Sequence, residues 1–315
     1  MSHSQLLCRS CGSAGLELVL SLGRMPLANA LLTQEQLEQP EPSYPLDAVF
    51  CPCCSLVQIT ETVAPDELFG EYLYFSSFSE TMLQHARSLV ADLIASRRLS
   101  RKSLVVEIAS NDGYLLQYYQ REGIPVLGIE PAANVAQVAY GERGIRTLCE
   151  FFGEGLAHRL KEEGLQADLV HAHNVLAHVA DLNGFVAGIG LLLKENGLVV
   201  IEVPYVRDLI ERAEFDTIYH EHLCYFSLTA LNHLFLRHDL VIEHAERIPI
   251  HGGSLRLFVT HAASAQPGTA VRALLDEEGA IGMGDPAFYH EFGRQVEALR
   301  SSLVNLLATL KQDGN

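Results

Sequence analysis

The chain has 315 residues, enough for two to three folded units. With 48% hydrophobic and 19% charged residues it has the composition of an ordinary globular protein and not of a disordered one. The net charge is −17, from 39 acidic and 22 basic residues, and the strongest basic stretch, Arg97-Arg98 to Arg101-Lys102, is short, so the clustered Lys/Arg needed to bind nucleic acid is missing. There is no apolar run of about 18 residues to span a membrane. The start, Met1–Leu7, lacks the basic-then-apolar pattern of a signal peptide. A cytoplasmic location is the resulting expectation.

Residues 1–65 are rich in cysteine and proline and predict short strands, such as Glu17–Leu20 and Leu56–Ile59. Residues 66–102 read as a helical connector, with helical spacing clearest in Thr81–Ile94. From 103 to 262 strands and helices alternate. Strands are predicted at Leu104–Ala109, Val126–Glu130, near Thr147, at Asp168–Ala172 and at Leu198–Val203. Between them lie helices at Gly113–Arg121, Ala132–Gly141, Glu154–Glu163 and Leu182–Leu193. The strands are short continuous apolar runs, as expected when helices cover both faces of a parallel sheet. A helix at Ser227–Arg237 precedes two last strands, Leu240–His244 and Leu255–Thr260, which turn at Gly252-Gly253. The tail, residues 263–315, contains a long amphipathic helix over Asp285–Leu310, with Phe288, Phe292, Val296, Leu299, Leu303, Leu306 and Leu310 on one face.

Five of the seven cysteines fall in the first 54 residues. Cys8-x-x-Cys11 and Cys51-x-x-Cys54 supply four thiolates, a full tetrahedral set for a structural zinc ion with no open position for catalysis. Gly12 suits the tight turn of such a knuckle.

The strand Leu104–Ala109 runs through Ser110-Asn111-Asp112-Gly113 into a helix, where a doubly wound, Rossmann-like sheet binds its ligand. A dinucleotide needs G-x-G-x-x-G there, so that amides can close on a pyrophosphate. This turn has one glycine, Gly113, and two nearby acids, Glu107 and Asp112. Acids repel phosphate but suit a cofactor without phosphate that carries a sulfonium and an ammonium, which is S-adenosylmethionine. Glu130 ends the second strand, where a carboxylate can accept ribose hydroxyls. The fold class expected is therefore α/β: a Rossmann-like doubly wound sheet behind a small zinc-binding module, with a long C-terminal helix.

The chain resembles the zinc-containing sugar-nucleotide C-methyltransferases, which make 3-C-methyl branched deoxysugars of the kind used in antibiotic biosynthesis. The matching stretches are Cys8-x-x-Cys11-Gly12, Leu22-Gly23-x-x-Pro26-Leu27-Ala28-Asn29, Cys51-x-x-Cys54-Ser55-Leu56-Val57-Gln58 and Tyr72-x-Tyr74-x-Ser76-Ser77-x-Ser79. They continue with Glu107-Ile-Ala-Ser-Asn-Asp-Gly113, Asn174-Val-Leu-Ala-His178-Val179, Tyr219-His-Glu-His-Leu-Cys-Tyr-Phe-Ser227 and His251-Gly-Gly-Ser-Leu-Arg256. The resemblance implies a zinc module, a methyltransferase core and transfer to carbon. It also implies a further α/β domain after the long helix, which this chain ends before. A missing domain or a partner chain would then complete the nucleotide-sugar site.

The candidate cofactor residues are Tyr72, Tyr74, Glu107, Ala109, Asn111, Asp112, Gly113, Tyr114, Leu115, Glu130, Pro131, Asn174 and Val175. Tyr72 and Tyr74 are alternatives for closing over the cofactor. Carbon methylation needs a base to generate an enolate, and His222 is the candidate, since its ordinary pKa of about 6.5 suits the task. By resemblance, Tyr219 and Glu221 flank a keto group and tune the base, and His178 is a second proton-handling candidate. His220 and His222 alternate, so one of them is expected to face the site; as a pair they could also bind a second metal. His251, Gly252, Gly253 and Ser254 offer close backbone approach to a substrate, and Arg256 a partner for phosphate. Two other readings use the same residues: methyl transfer to O, N or C of another small metabolite, or a catalytically silent zinc-ribbon adaptor.

Overall fold

The computed structural model describes residues 6–64, 68 and 72–313. It opens with a small antiparallel sheet in which β1 (Glu17–Met25) pairs with β2 (Tyr44–Phe50), and β2 with β3 (Val57–Ile59). The sequence reading expected short strands in this segment but named none in the proline-rich stretch around β2. Leu46, Ala48 and Phe50 nonetheless alternate inward. Pro45 is tolerated because it lies beyond the reach of β3, which pairs only with Ala48–Phe50.

Among the described residues, the expected connector is helical at Leu68 and again in α1 (Glu80–Arg97). Residues 72–75 are non-helical and lead into a single 3-10 turn, Ser76–Phe78; positions 66, 67 and 69–71 of the expected helix lie outside the described residues. Ser79 starts α1 by accepting a hydrogen bond from the Met82 amide at 3.3 Å, and left-handed Arg98 ends it. Met82, Ala86, Leu89, Val90 and Leu93 form its buried face.

Alternation then follows as predicted: β4 (Val105–Ile108), α2 (Leu116–Arg121), β5 (Val126–Ile129), α3 (Ala133–Arg143), β6 (Thr147–Leu148), α4 (Glu154–Glu162), β7 (Ala167–His173), α5 (Leu182–Leu192) and β8 (Leu193–Pro204). After α6 (Val206–Glu211), β9 (Cys224–Tyr225) and α7 (Leu228–Leu236) come β10 (Leu240–Ile248) and β11 (Ser254–His261). The main sheet has the order β10-β11-β8-β7-β4-β5-β6. Strands β4 to β8 are parallel, and β11 runs antiparallel to both its neighbours. Strand order reverses between β4 and β7, which opens a crevice at the carboxyl ends of these strands. Strand β9 leaves this sheet and pairs with β3 of the small one.

Two helices close the chain, where the sequence suggested one. The first, α8 (Thr269–Ala280), buries Val271 and Leu274, and its buried Glu278 accepts from the Leu228 and Thr229 amides at 2.6 and 2.8 Å and so caps α7. The second, α9 (Pro286–Gln312), starts at Asp285, whose carboxylate accepts from the Ala287 amide. Tyr289, Phe292 and Val296 of its apolar stripe are buried, with the Tyr289 ring stacked on Phe50 at 4.5 Å, while Leu299, Leu303, Leu306 and Leu310 are exposed. Among the described residues no helix is long and apolar enough to cross a membrane.

Candidate active site

Cys8, Cys11, Cys51 and Cys54 converge, with all four sulfurs within 4.8 Å of one another. Cys8 and Cys54 lie 3.5 Å apart, and Cys11 and Cys51 3.6 Å. Tetrahedral zinc–thiolate geometry requires sulfur separations of roughly 3.8 Å. The bond to Cys54 lowers the Cys8 thiol to about 5, whereas burial pushes Cys51 up to about 11. Four thiols this close cannot all ionise without a cation, and zinc fits them. Exposed Cys53 points away. His220 and His222 form no second cluster of this kind among the described residues.

A cavity of about 680 Å3 occupies the crevice of the main sheet. Of the candidate cofactor residues, Tyr72, Tyr74, Ala109, Asn111, Tyr114, Glu130, Pro131, Asn174 and Val175 line it. The turn after β4 places Ala109, Asn111 and Gly113 at positive φ. At Gly113, with φ +77°, a Cβ would also meet the end of the Ile145 side chain at 2.5 Å, so glycine is the unstrained residue there. Asn111 accepts from the Ser76 amide at 2.9 Å and donates to the Tyr74 carbonyl at 2.9 Å, strapping the tyrosine segment across the cavity. Asn134 exchanges two hydrogen bonds with the Tyr72 backbone, so both tyrosines remain at the site. The Glu130 carboxylate accepts from the amides of Asn111 and Ala132, each at 2.9 Å, and burial raises its pKa against these two bonds.

Four candidates in this group lie off the cavity. Leu115 is core. Gly113 packs on Ile145. Asp112 is taken by Arg143, at 3.3 Å, and by the Ser77 hydroxyl. Glu107 lies buried beneath the turn, and both its carboxyl oxygens lack a hydrogen-bond partner among the described residues. Burial, together with Asp112 and Glu130, holds that carboxyl well above the usual range. The acid presented to the cavity by the cofactor strands is thus Glu130, with Glu107 behind it. With one carboxylate facing it and no Lys or Arg in its lining, this end suits a cationic cofactor without phosphate, such as S-adenosylmethionine.

At the other end of the cavity stand His178, Tyr219 and His222. His222 Nδ1 donates to the Thr217 carbonyl at 3.0 Å, which leaves Nε2 as the acceptor, 3.1 Å from the Tyr219 hydroxyl. Burial lowers the His222 pKa, so the ring is neutral. The His178 ring lies 4.9 Å from that of His222, and burial, followed by the His222 neighbour, holds its pKa down at about 3. Glu221 turns away from the cavity and accepts from Asn29 at 2.7 Å. His220 donates from Nε2 to the Pro45 carbonyl at 3.1 Å.

Of the candidate substrate residues, His251 and Gly253 line the cavity. Gly252 lies at the rim, where its carbonyl accepts from Arg212. Ser254 is buried and donates to the Ile250 carbonyl at 3.0 Å. The expected phosphate role of Arg256 meets an obstacle: its guanidinium is bound to buried Glu202 at 2.7 Å. Sequence reading missed His173, Tyr205, Phe152 and Cys224, which also line the cavity. Cys224 lies within the Tyr219–Ser227 motif but was not named as a site residue, and the other three are strand-end and loop residues with no motif to mark them.

Family models match most of the chain in order: a zinc binding domain at residues 8–69, a methyltransferase domain at 82–245 and a C-methyltransferase C-terminal domain at 249–315. The C-methyltransferase NovU of Streptomyces niveus is 35% identical over 308 residues, covering 98% of this chain and 73% of that protein. A ubiquinone biosynthesis O-methyltransferase of Azorhizobium caulinodans is 30% identical over 100 residues, or 31% of this chain and 38% of its own. Among solved structures, magnesium protoporphyrin IX methyltransferase from Synechocystis PCC 6803 superposes with a TM-score of 0.44 at 14% identity, covering 62% of this chain and 88% of that one. The chain belongs to the C-methyltransferase family and is an S-adenosylmethionine-dependent enzyme with a zinc-binding module in front of its Rossmann-like core.

Proposed function

We propose that this enzyme methylates C-3 of a nucleotide-linked 4-keto-6-deoxysugar through an enolate, with His222 as the base and Tyr219 beside it. The observation that carries this reading is the pinned imidazole: Nδ1 is committed to the Thr217 carbonyl, so the lone pair of Nε2 faces the Tyr219 hydroxyl at the cavity. A neutral buried imidazole can take a proton from the carbon next to a ketone. The C–H electron pair moves into the enolate and charge collects on the carbonyl oxygen, where the Tyr219 hydroxyl can donate. When bound, S-adenosylmethionine supplies an electrophilic methyl group. That methyl would pass to C-3, and His222 would hold the abstracted proton on Nε2 until it leaves to solvent.

Glu130 would hold the ribose hydroxyls, with Tyr72 and Tyr74 covering the cofactor and Asn174 and Val175 forming the wall beside it. His251 and Gly253 would meet the sugar. The relative NovU is named as a C-methyltransferase, which supports carbon as the acceptor atom. The diphosphate would need groups other than Arg256, and a partner chain or further domain is one source of them. The test is His222→Ala with calorimetry and turnover measured together. Retained S-adenosylmethionine binding with lost turnover is expected; near-normal turnover would remove His222 from the mechanism.

A further inference from the structure

The base-carrying segment and the zinc module share one sheet. Strand β9 is only two residues long, too short to hold itself in place. It pairs with β3 in the register Val57↔Tyr225 and Gln58↔Cys224, and the Ile59 amide donates to the Leu223 carbonyl at 3.0 Å. The module reaches the same segment twice more, through the Asn29–Glu221 bond at 2.7 Å and the His220–Pro45 bond at 3.1 Å. Cys224 and Tyr225 in turn line the cavity, two and three residues beyond His222.

Gln58 stands where this sheet meets the first metal knuckle. Its side chain is buried, with 0% exposure. Its Oε1 accepts from the Arg9 amide at 2.8 Å and its Nε2 donates to the Leu7 carbonyl at 3.2 Å, so one amide grips the backbone on both sides of the ligand Cys8. No apolar side chain could satisfy both of these backbone groups. The cofactor turn is fastened differently, through Asn111, Ser76 and Glu130.

We propose that Gln58 is a positioning residue that couples the Cys8–Cys11 knuckle, through β3 and β9, to the placement of Tyr219 and His222. Metal occupancy then sets the alignment of the proposed base and leaves the cofactor half of the cavity untouched. The catalytic meaning rests on the reading of His222 as base; the coupling itself does not.

The test is hydrogen exchange on the whole chain in three forms: zinc-loaded, zinc-stripped by chelator, and zinc-loaded Gln58→Leu. Segments 55–60 and 219–227 are expected to exchange about tenfold faster in the last two forms, because the knuckle loses its ion in one and its Gln58 hydrogen bonds to β3 in the other. Segments 105–118 and 126–132 should keep their protection, and S-adenosylmethionine affinity by calorimetry should stay unchanged. The ring nitrogens of His222, read by NMR, should change from one fixed tautomer to an averaged pair. Unchanged protection of 219–227 in both altered forms would overturn the coupling, as would equal loss of protection across 105–132. If Gln58→Leu does not fold, the stripped wild-type chain decides the matter on the same segments. A chain that shows the coupling but methylates oxygen would instead contradict the enolate reading alone.

Discussion

Arg256 and Glu202 are cross-strand partners in the β11–β8 pair, with the guanidinium Nε 2.7 Å from a carboxylate oxygen. His85 Nε2 lies 2.9 Å from both oxygens of the same carboxylate, and His173 Nδ1 lies 3.4 Å from one. Burial alone would raise the Glu202 pKa, but His173 and His85 outweigh it and hold the carboxylate ionised. Arg256 is therefore fastened to the sheet edge. Arg256→Met should lower stability by about 3–5 kcal/mol, because one partner of a buried ion pair is removed. Urea denaturation reads this directly. Wild-type stability together with weakened binding of a nucleotide diphosphate would restore the phosphate role.

Glu130 offers each carboxylate oxygen to one backbone amide and keeps further acceptor capacity toward the cavity. Glu130→Ala should weaken S-adenosylmethionine binding by about 10- to 100-fold, the size expected when hydrogen bonds to a charged group are lost. Calorimetry measures it. An affinity unchanged by the substitution would mean that Glu130 serves only to hold the turn.

The four clustered thiols should carry one zinc per chain, measured by elemental analysis of the purified protein. Cys54→Ser leaves three thiolates around the ion and should abolish stoichiometric zinc. A native zinc content in that variant would contradict the four-cysteine assignment.

His171 and His178 are buried and neutral. Burial, with His173 beside the first and His222 beside the second, holds both below the ordinary imidazole value. The unfolded chain protonates these rings near about 6.5 while the folded chain does not, so the unfolded state binds more protons below that pH. Stability is thus complete above about 6.5 and falls as the pH drops toward the folded value, by about 1.4 kcal/mol per pH unit for each such histidine. Thermal unfolding should shift downward from about pH 7 to about pH 5, and His178→Gln should flatten the dependence. An unchanged slope in that variant would mean that His178 is protonated in the fold.

Local patterns made much of this molecule readable. The doubled Cys-x-x-Cys gave the metal cluster, the apolar runs at Val105–Ile108 and Val126–Ile129 gave the sheet, and the strand–turn–helix at Leu104–Tyr118 pointed to the crevice where the cavity lies. The alternation of His220 and His222 foretold that one would face away, and His220 does so. What stayed hidden depends on contacts distant in sequence. Strand β9 exists because Gln58 and Val57 lie opposite it, and no two-residue pattern announces that. Arg256 looked free because its cross-strand partner can be identified only from the register of β11 on β8. Asn29 stood in a recognisable motif, yet nothing near it pointed to Glu221. Helix α8 was missed because a buried Glu278 belongs to its inner face, where an apolar residue is the ordinary expectation.

The most direct measurement of the central claim is NMR of the product formed from a nucleotide-linked 4-keto-6-deoxysugar and 13C-methyl-labelled S-adenosylmethionine. A new carbon–carbon coupling to C-3, with the C-3 proton lost and with no product from His222→Ala, is the expected result. A labelled methyl found on oxygen or nitrogen, or full turnover by His222→Ala, would contradict it.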